Sequence, residues 1–212
     1  MEFRSEIENA FRETVMKNLV LFIGVLSCGV AAAQDTMIVR LRGEVQSYDA
    51  PKLVLKERSG KVIEMILPEG LPIAEVIPTD ITAIQPGSFI GTAAVPRADG
   101  QLQALEVVVF PEAARGSGEG HYPWDLKPDS TMTNATVADL SRGSQGRTLT
   151  LRYKDGEKKV IVPDGIPVVT FKPGNPGLIV TGAKVFIVTE LTGDQYEPRR
   201  FIIGRNGFQP PM

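Results

Sequence analysis

From residue 37 to residue 48 the chain alternates. Val39, Leu41 and Val45 fall on one side and Arg40, Arg42, Glu44 and Gln46 on the other. A period of two is what a strand with one wet face requires. Asp49-Ala50-Pro51 turns the chain. Residues 52–58, with Leu53 and Leu55 facing inward, and residues 61–67 read as the next two strands. Ser59-Gly60 between them is a two-residue hairpin signal. Residues 68–79 read as an irregular, proline-rich loop, followed by a short turn at 80–85. Pro86-Gly87 opens a fourth strand at 88–95, Arg97-Ala98-Asp99-Gly100 turns it back, and 101–110 forms a fifth. Between 37 and 110 no convincing amphipathic helix is read.

The same order is then written again. Pro68-Glu69-Gly70-Leu71-Pro72 returns as Pro163-Asp164-Gly165-Ile166-Pro167, 95 residues later, and Gly87 returns as Gly182. With one residue of slip, Leu53, Leu55 and Gly60 fall on Leu149, Leu151 and Gly156. Strands are predicted at 135–140, 148–153, 157–162, 183–191 and 200–204, with 172–177 as the irregular loop. Solenoid repeats run to about 20–50 residues, so this spacing is a duplicated domain instead. Five short strands leave edges that closure removes. The predicted fold is therefore all-β: two tandem five-stranded OB-like barrels, at 37–110 and 133–208, preceded by an N-terminal signal helix. A small β-sandwich is the alternative. In an OB barrel the ligand surface lies across strands two and three and two end loops, here 47–51 and 97–100 in one copy and 142–146 and 191–195 in the other.

The strand order, the proline–acid–glycine turn after strand three and the glycine before strand four resemble those of uncharacterised secreted bacterial proteins with tandem OB-like β-barrel domains. The resemblance covers 37–110 and 135–204 and implies no activity. For the paired turns, Gly70 and Gly165 supplying a bend is preferred over Glu69 and Asp164 presenting carboxylates to a cation.

Composition adds a compartment. Lys17 precedes an apolar run at 19–33 that ends Ala31-Ala32-Ala33. It is short of the ~20 residues a membrane span needs and has the layout of a secretory signal peptide. Residues 1–15 are net acidic and read as an extension before a start at Met16, so 1–33 is extension plus signal. The predicted location is periplasmic. Lipid anchoring at Cys28, the single cysteine, is less favoured. A formal net charge of −2 with no basic block argues against nucleic acid. The expected partners are a small ligand, a peptide or an envelope protein, with no integral span once the signal is cut.

The densest chemistry lies in the linker, 111–132. His121, Tyr122, Pro123, Trp124 and Asp125 are consecutive and include the chain's one histidine and one tryptophan. Two readings compete. His121, Asp125 and Met132 offer nitrogen, oxygen and sulfur donors to a soft or borderline metal. Alternatively, Tyr122 and Trp124 plug a seam between barrels, since aromatics bury large areas. The seam is preferred, and no cofactor is expected beyond a possible weakly held metal ion. No P-loop, dinucleotide fingerprint or nucleophile elbow is present. The expected function is thus an exported, non-enzymatic binding or scaffold protein. The alternatives are a weak metal-binding module centred on His121 and Asp125, or an enzyme of unknown type.

Overall fold

The computed structural model describes residues 35–212; the acidic segment, the apolar run and Cys28 lie outside the described residues. The described chain forms strands and turns, with three-residue 3-10 helices at Ile81–Ala83, Glu112–Ala114, Pro176–Leu178 and Arg205–Gly207. In order it forms β1 (Thr36–Asp49), β2 (Lys52–Glu57), β3 (Val62–Ile66), β4 (Ile73–Pro78), β5 (Phe89–Pro96), β6 (Leu102–Ala104) and β7 (Val107–Val109). Then come β8 (Gly120–Pro123), β9 (Thr131–Gly143), β10 (Gly146–Tyr153), β11 (Gly156–Val162), β12 (Val168–Pro173), β13 (Lys184–Thr192) and β14 (Gln195–Gly204). Among the described residues no helix is long and apolar enough to cross a membrane. The repeated turns have matching backbones: Gly70 and Gly165 sit at φ 74° and 82°, a region that favours glycine.

Five strands close into a barrel. β9 pairs with β10, β10 with β11, β11 in parallel with β6, β6 with β5, and β5 returns to β9. Its interior holds Ile90, Val107, Ala135, Val137, Leu149, Leu151, Val160 and Val162. A second core lies inside β1, β2, β3, β13 and β14, filled by Leu41, Val45, Leu53, Leu55, Ile63, Val185, Ile187, Phe201 and Ile203. There β3 and β14 run close together but share no hydrogen-bonded ladder.

Neither core belongs to one copy of the repeat, which corrects the expectation that 37–110 and 133–208 each wrap their own interior. Each copy contributes its first three strands to one core and its last strands to the other. The reason is β4, inside the predicted loop 68–79, and β12, which no predicted strand covers and which overlaps the predicted loop 172–177 only at Lys172-Pro173. A six-residue strand carries the chain about 20 Å, and here it leads from one core to the other. β4 and β12 pair with each other antiparallel, Val169 opposite Pro78 and Pro173 opposite Ala74. β4 then runs parallel to β14, and β12 parallel to β7. Prolines close both strands, Pro78 and Pro173, where a ladder donor is dispensable.

Two boundaries move for the same reason. The predicted fifth strand, 101–110, breaks at Leu105-Glu106 because β6 pairs in the barrel and β7 pairs with β12. The linker is not wholly irregular: β8 pairs with the start of β9. Between the two cores lies a third apolar layer of Val76, Val108, Val169, Phe186 and Ile202, flanked by Phe110, Phe171 and Trp124. Glu75, buried on β4, is held beside it by Arg205 at 2.6 and 2.9 Å.

Candidate functional site

The middle layer has a polar rim where the linker crosses it. Strand pairing sets the rows of that face. Arg40, Val188 and Arg200 are register partners across β1, β13 and β14, and so are Arg42, Phe186 and Ile202 in the next row inward. Directly paired residues project from the same side of a sheet, so both rows face the linker.

β8 then distributes the linker side chains by parity. His121 pairs with Thr133, and Tyr122 with Met132. His121 therefore turns away from the layer. Its Nδ1 lies 2.8 Å from Thr133 Oγ1, and its ring stacks on Tyr153 with centroids 6.4 Å apart. Burial, helped by the nearby Lys158 charge, holds the imidazole below its ordinary pKa. Tyr122 points the other way and meets Trp124 edge-on at 6.2 Å. Trp124 packs on Phe186 at 6.2 Å, and the Arg40 guanidinium lies over its ring at 4.2 Å. The turn after it is fixed by reciprocal bonds: Trp124 N–H donates to Ser130 O at 2.8 Å, and Ser130 Oγ donates to Trp124 O at 3.0 Å.

The three donors of the metal reading lie in different surroundings. Asp125 accepts from Arg42 Nη2 at 2.7 Å. Partial burial pushes its carboxyl up, but the bond and charge of Arg42 outweigh that and hold it below the usual carboxylate range. Met132 is buried on the face opposite His121. Each candidate donor thus has its own surroundings, and among the described residues no group of three or more His, Cys, Asp and Glu side chains is gathered. Tyr122 and Trp124, by contrast, do come together.

Beside Tyr122 a cleft of about 220 Å3 opens between the linker and the central strands, lined by Ile73, Phe110, Ser117, Phe171 and Arg200. Asn134 Nδ2 ties its edge, donating to Ser117 O at 3.1 Å and to the Tyr122 hydroxyl at 3.3 Å. Burial pushes the Tyr122 phenol up, while Arg40 and Arg200 act in the opposite sense. The end loops predicted to bind ligand also meet, but across copies: Arg97 Nη2 donates to Gln145 Oε1 at 3.1 Å. Beside the second core a groove of about 500 Å3 separates β3 from the β13–β14 turn, rimmed by Glu64, Asp194 and Glu197.

Sequence reasoning missed Glu106. It is 1% exposed, and neither carboxyl oxygen has a hydrogen-bond partner. Burial pushes it up to about 8, with the Arg42 charge pulling the other way. The signal was a lone acid inside the run Ala104-Leu105-Glu106-Val107-Val108-Val109-Phe110.

Removing Trp124 tests the seam directly. Trp124→Ala is expected to cost about 3 kcal/mol, the low end for truncating a large aromatic, because the ring is only partly buried. Urea denaturation measures it; a loss within about 0.5 kcal/mol, the range of neutral surface changes, would show that the ring does not hold the layer together.

No family model matches the chain, and no curated protein or solved structure shows significant similarity to it.

Proposed function

We propose that the chain is an exported, non-enzymatic binding protein that takes a small ligand in the cleft beside Tyr122. The observation that carries this reading is the cleft itself: an apolar recess built where Ala114 and Ser117 of the linker meet Ile73, Phe110, Phe171 and Ile202, with Arg200 as its charged wall. Pockets of that make-up are the usual form of a ligand site. The strand order β9-β10-β11-β6-β5, with β11 and β6 parallel, supports describing the closed barrel as OB-type with exchanged strands. The apolar run at 19–33 supports export to the periplasm. The one histidine is engaged with Thr133 and Tyr153, which favours binding over hydrolytic chemistry.

Native mass spectrometry of protein purified from its own cell envelope tests the proposal. A bound species is expected in the unaltered chain and should vanish in Ser117→Trp, which fills the cleft from its linker wall. A bare mass, or a species that persists in Ser117→Trp, refutes the assignment of the cleft.

A further inference from the structure

Most arginines on this chain have an acid beside them. Arg42 holds Asp125, Arg115 holds Glu112, Arg199 holds Glu190 and Glu197, and Arg205 holds Glu75. Arg40 and Arg200 do not: among the described residues neither makes an ion pair or a side-chain hydrogen bond. They share one row of the face, with Val188 between them. The carboxylates in the neighbouring row, Glu190 and Glu197, are already taken by Arg199 at 2.7 and 2.9 Å. Of the two, Arg200 lines the cleft, while the Arg40 charge also acts on Asp125; Arg200 thus brings a cation without an acid partner among the described residues to the cleft wall, on a chain whose formal net charge is slightly negative.

Both guanidinium charges act on the Tyr122 phenol. Stacking of Arg40 on Trp124 uses the face of the guanidinium and leaves its in-plane N–H groups free to donate. The Tyr122 oxygen accepts from Asn134, so its own O–H remains available to a ligand. Arg200 lines the cleft wall and is exposed. Size and polarity then narrow the occupant. About 220 Å3 is below the range of drug-sized pockets, about 300–1,000 Å3, so it suits one ring or a short alkyl group. The walls are Ile73, Phe110 and Phe171. Bringing a second negative charge against them would add a desolvation penalty, which favours a monoanionic carboxylate over a phosphate.

We propose that the cleft binds a small organic carboxylate, its acid group on Arg200 at the wall and its short apolar body against Phe110 and Phe171. This inference rests on the cleft being the ligand site. The single tryptophan, Trp124, sits at the rim and reports binding by its fluorescence, with calorimetry as a second reading. Phenylbutyrate is the probe and phenylbutanol its uncharged match. Phenylbutyrate is expected to bind saturably, and at least about tenfold more tightly than the alcohol, the least that one charge-assisted hydrogen bond contributes. Arg200→Met should remove that advantage, and Arg200→Lys should restore part of it. Arg200 is exposed, so the variants should keep the parent's melting temperature. Equal binding of acid and alcohol would leave the cleft as a ligand site and overturn the carboxylate. No response to either probe, by light or by heat, would overturn both.

Discussion

Cut between Gly116 and Ser117, the chain is expected to give two fragments that do not fold separately and that recover the native spectrum when mixed. Residues 35–116 retain β1–β3 with Leu41, Val45, Leu53 and Leu55 but lose the opposite wall of that core: Ile179, Val185, Ile187, Phe201 and Ile203. At about 2 kcal/mol for each large side chain buried, the loss is about 10 kcal/mol, comparable with the whole stability of an ordinary domain. Residues 117–212 lose Ile90, Ala94, Ala104 and Val107 from the closed barrel in the same way. No peptide bond in 111–119 is needed to hold either core, because the strands that cross between them are β4 and β12. Circular dichroism of each fragment and of the mixture reads the result. A cooperative melt from either fragment as a monomer would contradict the exchanged arrangement.

Glu106→Gln is expected to flatten the dependence of stability on pH. The folded carboxyl titrates near 8 against an ordinary value of 4.5, so between those limits the native state keeps a proton that the unfolded chain has released. The native state's advantage is complete below about 4.5, declines as pH rises, and is gone above about 8. The span is worth roughly 5 kcal/mol, at about 1.4 kcal/mol per pH unit. Relaxation around the site makes that an upper value. Gln keeps the shape and removes the titration, so the difference between parent and variant should grow from pH 5 to pH 8 and then level off. Arg42 faces Glu106 but is committed to Asp125 and to the Met212 backbone oxygen, so it cannot neutralise the acid without giving up those bonds. Urea melts at pH 5, 7 and 9 measure the effect; parallel profiles for the two proteins would mean Glu106 ionises freely in the native chain.

What was legible in the chain is what is locally determined. The alternation of Val39, Leu41 and Val45 and the turns at Ser59-Gly60, Arg97–Gly100 and Asp155-Gly156 each act within a few residues, and all-β structure follows from them. β4 was not legible, because Ile73, Val76 and Ile77 gain their partners only across β12 and β14, about 95 and 130 residues away. The exchange was hidden for a different reason. Two copies with the same pattern look alike whether a strand pairs with its own copy or with the other. In the linker, the aromatic content pointed to a seam, but Arg42, the partner of Asp125, lies 83 residues away and gave no sign.

The two halves have stopped matching where they meet. Arg42, Phe186 and Ile202 form one row across the middle layer, and Asn134, Gly91 and Val108 hold the corresponding places on the other side. A Cβ on Gly91 would come within 2.5 Å of Asn134 Oδ1 and 3.0 Å of Phe110, so that side accepts only the smaller set. A dimer of identical half-chains would have to put one residue in both places, and its openings would come in pairs. A single polypeptide is released from that equality, so the recess beside Phe110 and Phe171 needs no twin across the layer to match it.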